Sequence, residues 1–394
     1  LEVKILNCTQ KDNFKLKFKK HPDIKPSHRL RRVYMQVHAP AWFSFSTLTI
    51  ACGVLLAAPP VSANTLSHWE EIAPGGDTIC ARGAPFSFFV RSGDPSKVII
   101  DFIGGGACWD GRSCAPGTAT FTDSVDSVRN RIGGPLTGVY NDANPDNPYQ
   151  GWTHVVIPYC SGDLHWGNAT RSYQSPSGTQ FTIHHKGAAN TAAVLNWVKE
   201  RLPEPIRVHV NGCSAGSYGS IFWSPFIQEQ YPNATLTQFG DAGAGILVPG
   251  FMSVGIRQWD FLPAAPYWVP GLNPAETDYN QIELDQFYSR VANHYPQMQL
   301  SQFTTSYDFV QTFFYTRMGG RQDDWNPAMR ASFGRINGSA PNFRSFIARG
   351  DQHCATVDDD FYTVTSGGTQ LSSWLKSYVN LQPVSNVDCD GDCE

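Results

Sequence analysis

The feature that most restricts how this chain can fold is the pentapeptide Gly212-Cys-Ser-Ala-Gly216, set directly after the apolar run Ile206-Arg-Val-His-Val210. A strand that turns sharply into a helix around one serine leaves no room for side chains at the flanking positions, which is the job of Gly212 and Gly216. The turn lifts the Ser214 hydroxyl above the carboxyl edge of a sheet. The helix expected from near Ser214 to before Pro232 adds positive potential at its start. Ser214 is therefore the candidate nucleophile. Its neighbour Cys213 reads as a disulfide partner or a packed residue, since the serine occupies the elbow.

Such a turn needs a parallel sheet around it, and the chain supplies the parts. Apolar runs at 98–103, 154–158 and 206–210 read as buried strands, with further strands at 236–240 and 343–348 and helical spacing at 187–198 and 374–379. The alternation predicts the α/β class: a doubly wound, mostly parallel sheet of the α/β-hydrolase kind, with helices on both faces. Residues 64–394 are expected to form one such domain. Within them 241–300, rich in Gly, Pro and aromatics such as Trp259, Phe261 and Trp268, and helical over 281–293, reads as a lid-like insertion.

A serine hydroxyl needs a base, and the base an orienting carboxylate, in the chain order Ser, Asp, His for this topology. Downstream of Ser214 the histidines are His294, inside the expected helix, and His353, in the turn Arg349-Gly-Asp-Gln-His-Cys354 that follows an apolar run. His353 is the expected base. Asp241, Asp308, Asp323 and Asp324 all lie between nucleophile and base. Asp308 ranks first, because Asp241 comes too soon after the serine and the Asp323-Asp324 pair sits in a polar loop that a solvated surface explains. Gly104-Gly-Gly106, at the end of the 98–103 strand, fits a loop of backbone donors for an oxyanion, with the amide of Ala215 as a second source.

The opening stretch through Arg32 is Lys-rich without periodicity and reads, over 1–34, as a leader or upstream segment. From Met35 an apolar run over 41–58 and the small residues before Asn64 read as a signal peptide cut near Ala63, favoured over a membrane anchor. The first 63 residues hold 10 of the 30 Lys and Arg and 3 of the 34 Asp and Glu, so the remainder carries 20 bases against 31 acids, a net charge of −11. An acidic body argues against nucleic acid as a partner. Export implies a secreted or periplasmic protein with no membrane span after cleavage, and the eight cysteines beyond residue 63 then imply disulfides. No cofactor is expected: the His184-His185 pair lacks further metal ligands at spacing, and Cys389-Asp-Gly-Asp-Cys393 lacks calcium-loop order and reads as a local disulfide.

These residues together resemble the pectin acetylesterase and Notum family of carboxylesterases. The matching pieces are Gly104-Gly-Gly-Ala-Cys-Trp109, Ile157-Pro-Tyr-Cys-Ser-Gly-Asp163 with His165-Trp-Gly167, His184-His-Lys-Gly187, Asn211-Gly-Cys-Ser-Ala-Gly-Ser-Tyr-Gly219, Thr305-Ser-Tyr-Asp308 and Gly350-Asp-Gln-His-Cys354. The resemblance implies a triad on Ser214, Asp308 and His353 and oxyanion donors on Gly105, Gly106 and Ala215. Some members carry Trp after the glycine pair where this chain has Gly106, which implies a bare pocket wall. The expected activity is hydrolysis of O-acyl esters, O-acetyl foremost, of an extracellular carbohydrate or small molecule, with Trp109, Tyr159, Trp166 and Tyr218 as substrate contacts. The alternatives are a lipase or polyester depolymerase and, from another class, a non-catalytic binding module.

Overall fold

The computed structural model describes residues 68–389, 391 and 393; the expected leader, signal segment and cleavage point lie outside the described residues. The strands are β1 (Trp69–Ile72), β2 (Phe88–Arg91), β3 (Asp94–Phe102), β4 (Trp152–Ile157), β5 (Ala169–Gln174), β6 (Gln180–His185), β7 (Arg207–Cys213), β8 (Thr235–Asp241), β9 (Gln299–Thr305) and β10 (Phe343–Ala348), with the two-residue pair β11 (Thr365–Ser366) and β12 (Thr369–Gln370) beyond them. Eight of them form one sheet in the order β1-β2-β4-β3-β7-β8-β9-β10. From β4 to β10 every pair is parallel, while β1 and β2 add an antiparallel edge. The sequence therefore builds the mostly parallel α/β sheet its apolar runs imply.

The helices are α1 (Gly111–Cys114), α2 (Asp126–Ile132), α3 (Gly187–Arg201), α4 (Ala215–Gln230), α5 (Met252–Trp259), α6 (Leu284–His294), α7 (Phe309–Arg317), α8 (Trp325–Ser339) and α9 (Leu371–Val379). Alternate residues of β3 enter different layers, as a period of two requires. Val98, Ile100 and Phe102 pack with Val194 and Leu195 of α3 and Phe222 and Ile227 of α4. Ile99 points the other way, into a layer with Val156, Phe239, Phe303 and Phe346 that Trp374, Leu375 and Tyr378 of α9 cover. Both faces of the sheet are thus covered by helices.

Three parts have no counterpart in the apolar pattern. The β1 and β2 edge is short, β9 is interrupted by polar residues, and β5–β6 is a separate antiparallel hairpin of polar composition. That hairpin explains the His184-His185 pair. His185 is buried between the Tyr173 hydroxyl (2.9 Å) and the Ser161 carbonyl (3.0 Å), while His184 lies 3.2 Å from the Thr170 hydroxyl. Cys108 and Cys114 lie close to His185, but their sulfurs are joined to each other.

The insertion between β8 and β9 has two parts. Ala242, Ile246, Leu247, Phe251 and Trp259 line a cavity over the sheet's carboxyl edge, whereas Phe261, Val269, Leu272, Tyr279 and Phe287 are buried in the main core. Among the described residues no helix is long and apolar enough to cross a membrane. All eight cysteines beyond residue 63 are paired, Cys80–Cys160, Cys108–Cys114, Cys213–Cys354 and Cys389–Cys393.

Candidate active site

Ser214 stands between β7 and α4 at φ 56° and ψ −122°, a region that costs a residue with a side chain on the order of 1–3 kcal/mol. Its surroundings enforce the turn. The Ser214 amide donates to the Asp241 carbonyl at the end of β8 (2.8 Å), and the Ser217 amide donates to the Ser214 carbonyl (2.9 Å). A methyl group on Gly212 would collide with the Gly216 carbonyl, and one on Gly216 with the Phe102 carbonyl of β3. Both glycines are there because three strand ends and a helix meet around one serine. Behind them Asn211 donates to the buried Asp101 carboxylate (2.7 Å), fixing the end of β7 to that of β3.

Asp308 follows β9 and caps α7, accepting from the amides of Val310 (3.0 Å) and Gln311 (2.9 Å). The capping carboxylate also meets a histidine: His353 Nδ1 lies 2.9 Å from both Asp308 oxygens. The carboxylate is fully buried, whereas the His353 side chain is 15% exposed and faces the same cavity as Ser214. Gln311 completes the carboxylate's shell, donating to Asp308 Oδ2 and to the Thr304 hydroxyl (2.9 Å each) while accepting from the Ala244 amide (2.7 Å). It ties the acid to the loop after β8. Nothing in the sequence distinguished this glutamine, beyond its position three residues after the aspartate.

The other carboxylates have different work. Asp241 is buried and binds the amides of Ala355 (2.9 Å) and Thr356 (2.8 Å) and the Thr356 hydroxyl (2.6 Å), so it holds the segment just after His353. Burial pushes its carboxyl up from the ordinary value, against those hydrogen bonds. Asp323 and Asp324 lie in an exposed turn, and His294 is exposed at the end of α6. The Cys213–Cys354 bridge joins the residue before Ser214 to the residue after His353. Cys354, like Ser214, has a left-handed backbone, φ 59°.

Gly106 and Ala215 border the cavity. Gly106 is held at φ 75°, where glycine is favoured, and the neighbouring bonds Ala107 to Thr120 and Thr122 to Gly105 leave its own amide unused. Among the described residues the amides of Gly105, Gly106 and Ala215 have no hydrogen-bond partner. Gly105 packs against Tyr159 and Thr122, one step back from the cavity. The wall at Gly106 is not bare: Phe314 of α7 covers it, so close that a Cβ there would touch the ring at 3.2 Å. The aromatic is supplied by α7, where the sequence pattern implied none.

The cavity, about 600 Å³ with its open mouth, is mostly apolar, with Trp109, Phe251, Trp259, Phe314 and Met318 as its large walls. Of the expected substrate contacts Trp109 and Tyr218 line it. Tyr159 and Trp166 do not. Tyr159 is buried with its hydroxyl accepting from the Leu164 amide (3.0 Å), and Trp166 is a core residue whose indole donates to the Tyr218 carbonyl (3.0 Å). Trp166 instead borders a second, smaller apolar cavity that shares Leu164, Tyr218, Leu247, Phe251 and Trp259 with the first. Trp259, whose indole donates to the Cys108 carbonyl (2.9 Å), was visible in the sequence only as part of an aromatic-rich stretch.

Comparison with known proteins agrees with this architecture. A family model described as Pectinacetylesterase matches residues 71–252, which include the glycine loop and Ser214 but stop short of Asp308 and His353. Among solved structures, the Wnt deacylase Notum from Drosophila is similar at a TM-score of 0.54 and 18% identity, over 80% of this chain and 96% of that one. At that identity the likeness speaks for the fold. No curated protein matches.

Proposed function

We propose that the chain, whose residues 71–252 match a family model described as Pectinacetylesterase, cleaves O-acyl esters through Ser214, His353 and Asp308. The observation that carries this reading is a single cavity bordered by Ser214, His353, Ala215 and Gly106, with the buried Asp308 directly behind the histidine. Asp308 holds a proton on His353 Nδ1, leaving Nε2 as the acceptor for the Ser214 proton. The serine oxygen adds to the acyl carbonyl, and the developing oxyanion meets the free amides of Ala215 and Gly106, with Gly105 behind them. Collapse expels the alcohol, protonated by His353, and leaves an acyl-enzyme that water hydrolyses by the same route.

The acyl group of the substrate enters the apolar cavity and the alcohol, an extracellular carbohydrate or a small molecule, stays at its mouth. A second reading, acyl chains longer than acetyl, has a specific observation behind it: the smaller apolar cavity that continues from the first past Tyr218 and Trp259. The four disulfides fit a protein that works outside the cytoplasm. The test is one series of p-nitrophenyl esters from acetate to palmitate, beside acetylated pectin and xylan, on the parent and on Ser214→Ala. Loss of at least 1,000-fold on every ester, well within the roughly millionfold that removal of a triad nucleophile can cost, supports the serine mechanism. Turnover within tenfold of the parent refutes it. Activity falling with chain length favours acetyl esters, and activity rising to eight or more carbons favours the second reading.

A further inference from the structure

The last residues of the chain run back to the two loops that carry the acid and the base. Val387 pairs with Phe346 of β10, its amide donating to the Ser345 carbonyl (2.9 Å) and its carbonyl accepting from the Ile347 amide (2.8 Å). Six residues on, the Cys393 carbonyl accepts from the Ser306 hydroxyl (2.6 Å) and from the Gly350 amide (3.1 Å). Ser306 is two residues before Asp308, at the exit of β9, and Gly350 is three before His353, at the exit of β10. One carbonyl oxygen therefore bridges the roots of the two loops. The carbonyl is itself fixed from behind. Cys393 is bonded to Cys389, and Arg330 of α8 donates to Asp388 (2.5 Å) and to the sulfurs of Cys389 (3.2 Å) and Cys393 (3.1 Å).

We propose that the Cys389–Cys393 ring is a positioning device for the reaction, setting the distance between Asp308 and His353 through the Cys393 carbonyl. The proposal rests on the reading of Asp308 and His353 as acid and base. A parallel sheet fixes the strands but not the loops beyond their ends, so two loops that must hold a 2.9 Å contact need a tie of their own. The backbone already supplies part of it, with Ser306 donating to the Ala348 carbonyl (2.8 Å) and Tyr307 to that of Gly350 (2.9 Å). The Cys393 carbonyl, held by the Cys389–Cys393 bond, adds a third tie from outside the sheet. A five-residue ring closed between Cys389 and Cys393 contributes little loop entropy, which is a reason to look for its role in geometry rather than in global stability.

The experiment compares the parent with Cys389→Ser/Cys393→Ser and with Ser306→Ala, normalised to active sites titrated by a slow acylating ester, and includes Asp308→Asn. The expected result for the ring variant is kcat lowered roughly tenfold with KM within twofold and a thermal midpoint near the parent's. Ser306→Ala should lower kcat in the same direction by less. If the ring variant keeps the parent's kcat while Asp308→Asn is inactive, the brace is refuted and the triad stands. If Asp308→Asn is as active as the parent, the triad reading itself falls, whatever the ring variant does. A variant that loses kcat only in proportion to its titrated sites would make the ring purely structural and also refute the brace.

Discussion

Removing the Cys213–Cys354 bridge separates stability from catalysis, because a second bridge of similar span lies elsewhere. Cys213–Cys354 closes 141 residues and Cys80–Cys160 closes 80. The loop-entropy relation assigns the two about 5 and about 4.5 kcal/mol at 25 °C, nearly the same loss for either. Their positions differ. Neither Cys80 nor Cys160 borders the cavity, whereas Cys213 precedes Ser214 and Cys354 follows His353. Without its bridge Cys354 is free to leave its left-handed conformation, although Asp241 still holds Ala355 and Thr356. A displacement of a fraction of an ångström to one ångström is then expected, costing between about 10- and 100-fold in kcat. The assay is urea unfolding of Cys213→Ala/Cys354→Ala and of Cys80→Ala/Cys160→Ala, with kcat measured per titrated active site at 20 °C. Similar losses of stability with kcat reduced only in the first pair is the predicted outcome. A Cys213→Ala/Cys354→Ala protein with kcat within twofold of the parent would refute the argument that this bridge positions the site.

Three further outcomes follow from the geometry. Asp308→Asn should lower kcat by roughly 1,000- to 10,000-fold, the scale set by loss of the orienting acid in a triad, whereas Asp323→Asn and Asp324→Asn stay within twofold; an active Asp308→Asn with either of the others inactive would place the acid elsewhere. Gly216→Ala should fail at the turn, its methyl meeting the Phe102 carbonyl, and lose several kcal/mol of stability by forcing the elbow off β3; a parent-like melting temperature with full activity would show that the turn has slack. Acid should destabilise the fold. Burial lowers His165 and His185 to about 4 and His209 to about 3, so the folded state binds fewer protons than the unfolded one between about pH 6.5 and 4 and loses stability as pH falls through that window. Buried Asp163, raised to about 6, and Asp241, also raised by burial, work in the opposite direction as pH falls, but His154 is lowered too, so two carboxyls stand against four histidines. Thermal midpoints from pH 7 to 4 check this, and a flat or rising series contradicts it.

What the sequence made legible follows from how local each signal is. The apolar runs at 98–103, 154–158 and 206–210 lie in β3, β4 and β7 because parallel strands buried on both faces need no alternation to be recognised. Strand β9 is Gln299–Thr305, with Gln and Ser among its seven residues, and its polar side chains are satisfied inside the fold, Ser301 by the Gln238 carbonyl (2.8 Å) for example. A pattern based on apolarity passes over such a strand. The hairpin β5–β6 is hidden for the same reason. Within the site, Ser214, Asp308 and His353 were ranked by chain order and local context, and the structure brings Asp308 against His353 and both Ser214 and His353 to one cavity. The cavity walls were another matter. Trp109, Phe251 and Trp259 at the two ends of α5, and Phe314 come from three separate segments, and which aromatic reaches a cavity depends on long-range packing that spacing does not encode. Tyr159 and Trp166, which lie within the motif stretch 157–167, are spent on holding the loop around Leu164 and the core beneath α4.

The pairing of Cys213 with Cys354 also dictates when the site can exist during synthesis. A chain made from its N-terminus presents Cys80 and Cys160 first, then Cys213, whose partner is 141 residues away. At roughly 5–20 residues per second that delay is on the order of 7–30 s. Throughout it the Cys213 thiol has no native partner, and Cys80, Cys108, Cys114 and Cys160 are wrong partners for it until they pair with one another. A ribosome-bound chain that has not yet presented residues 353 and 354 holds the serine turn but neither His353 nor the Cys213–Cys354 bond, so the arrangement around Ser214 cannot form until that segment has emerged.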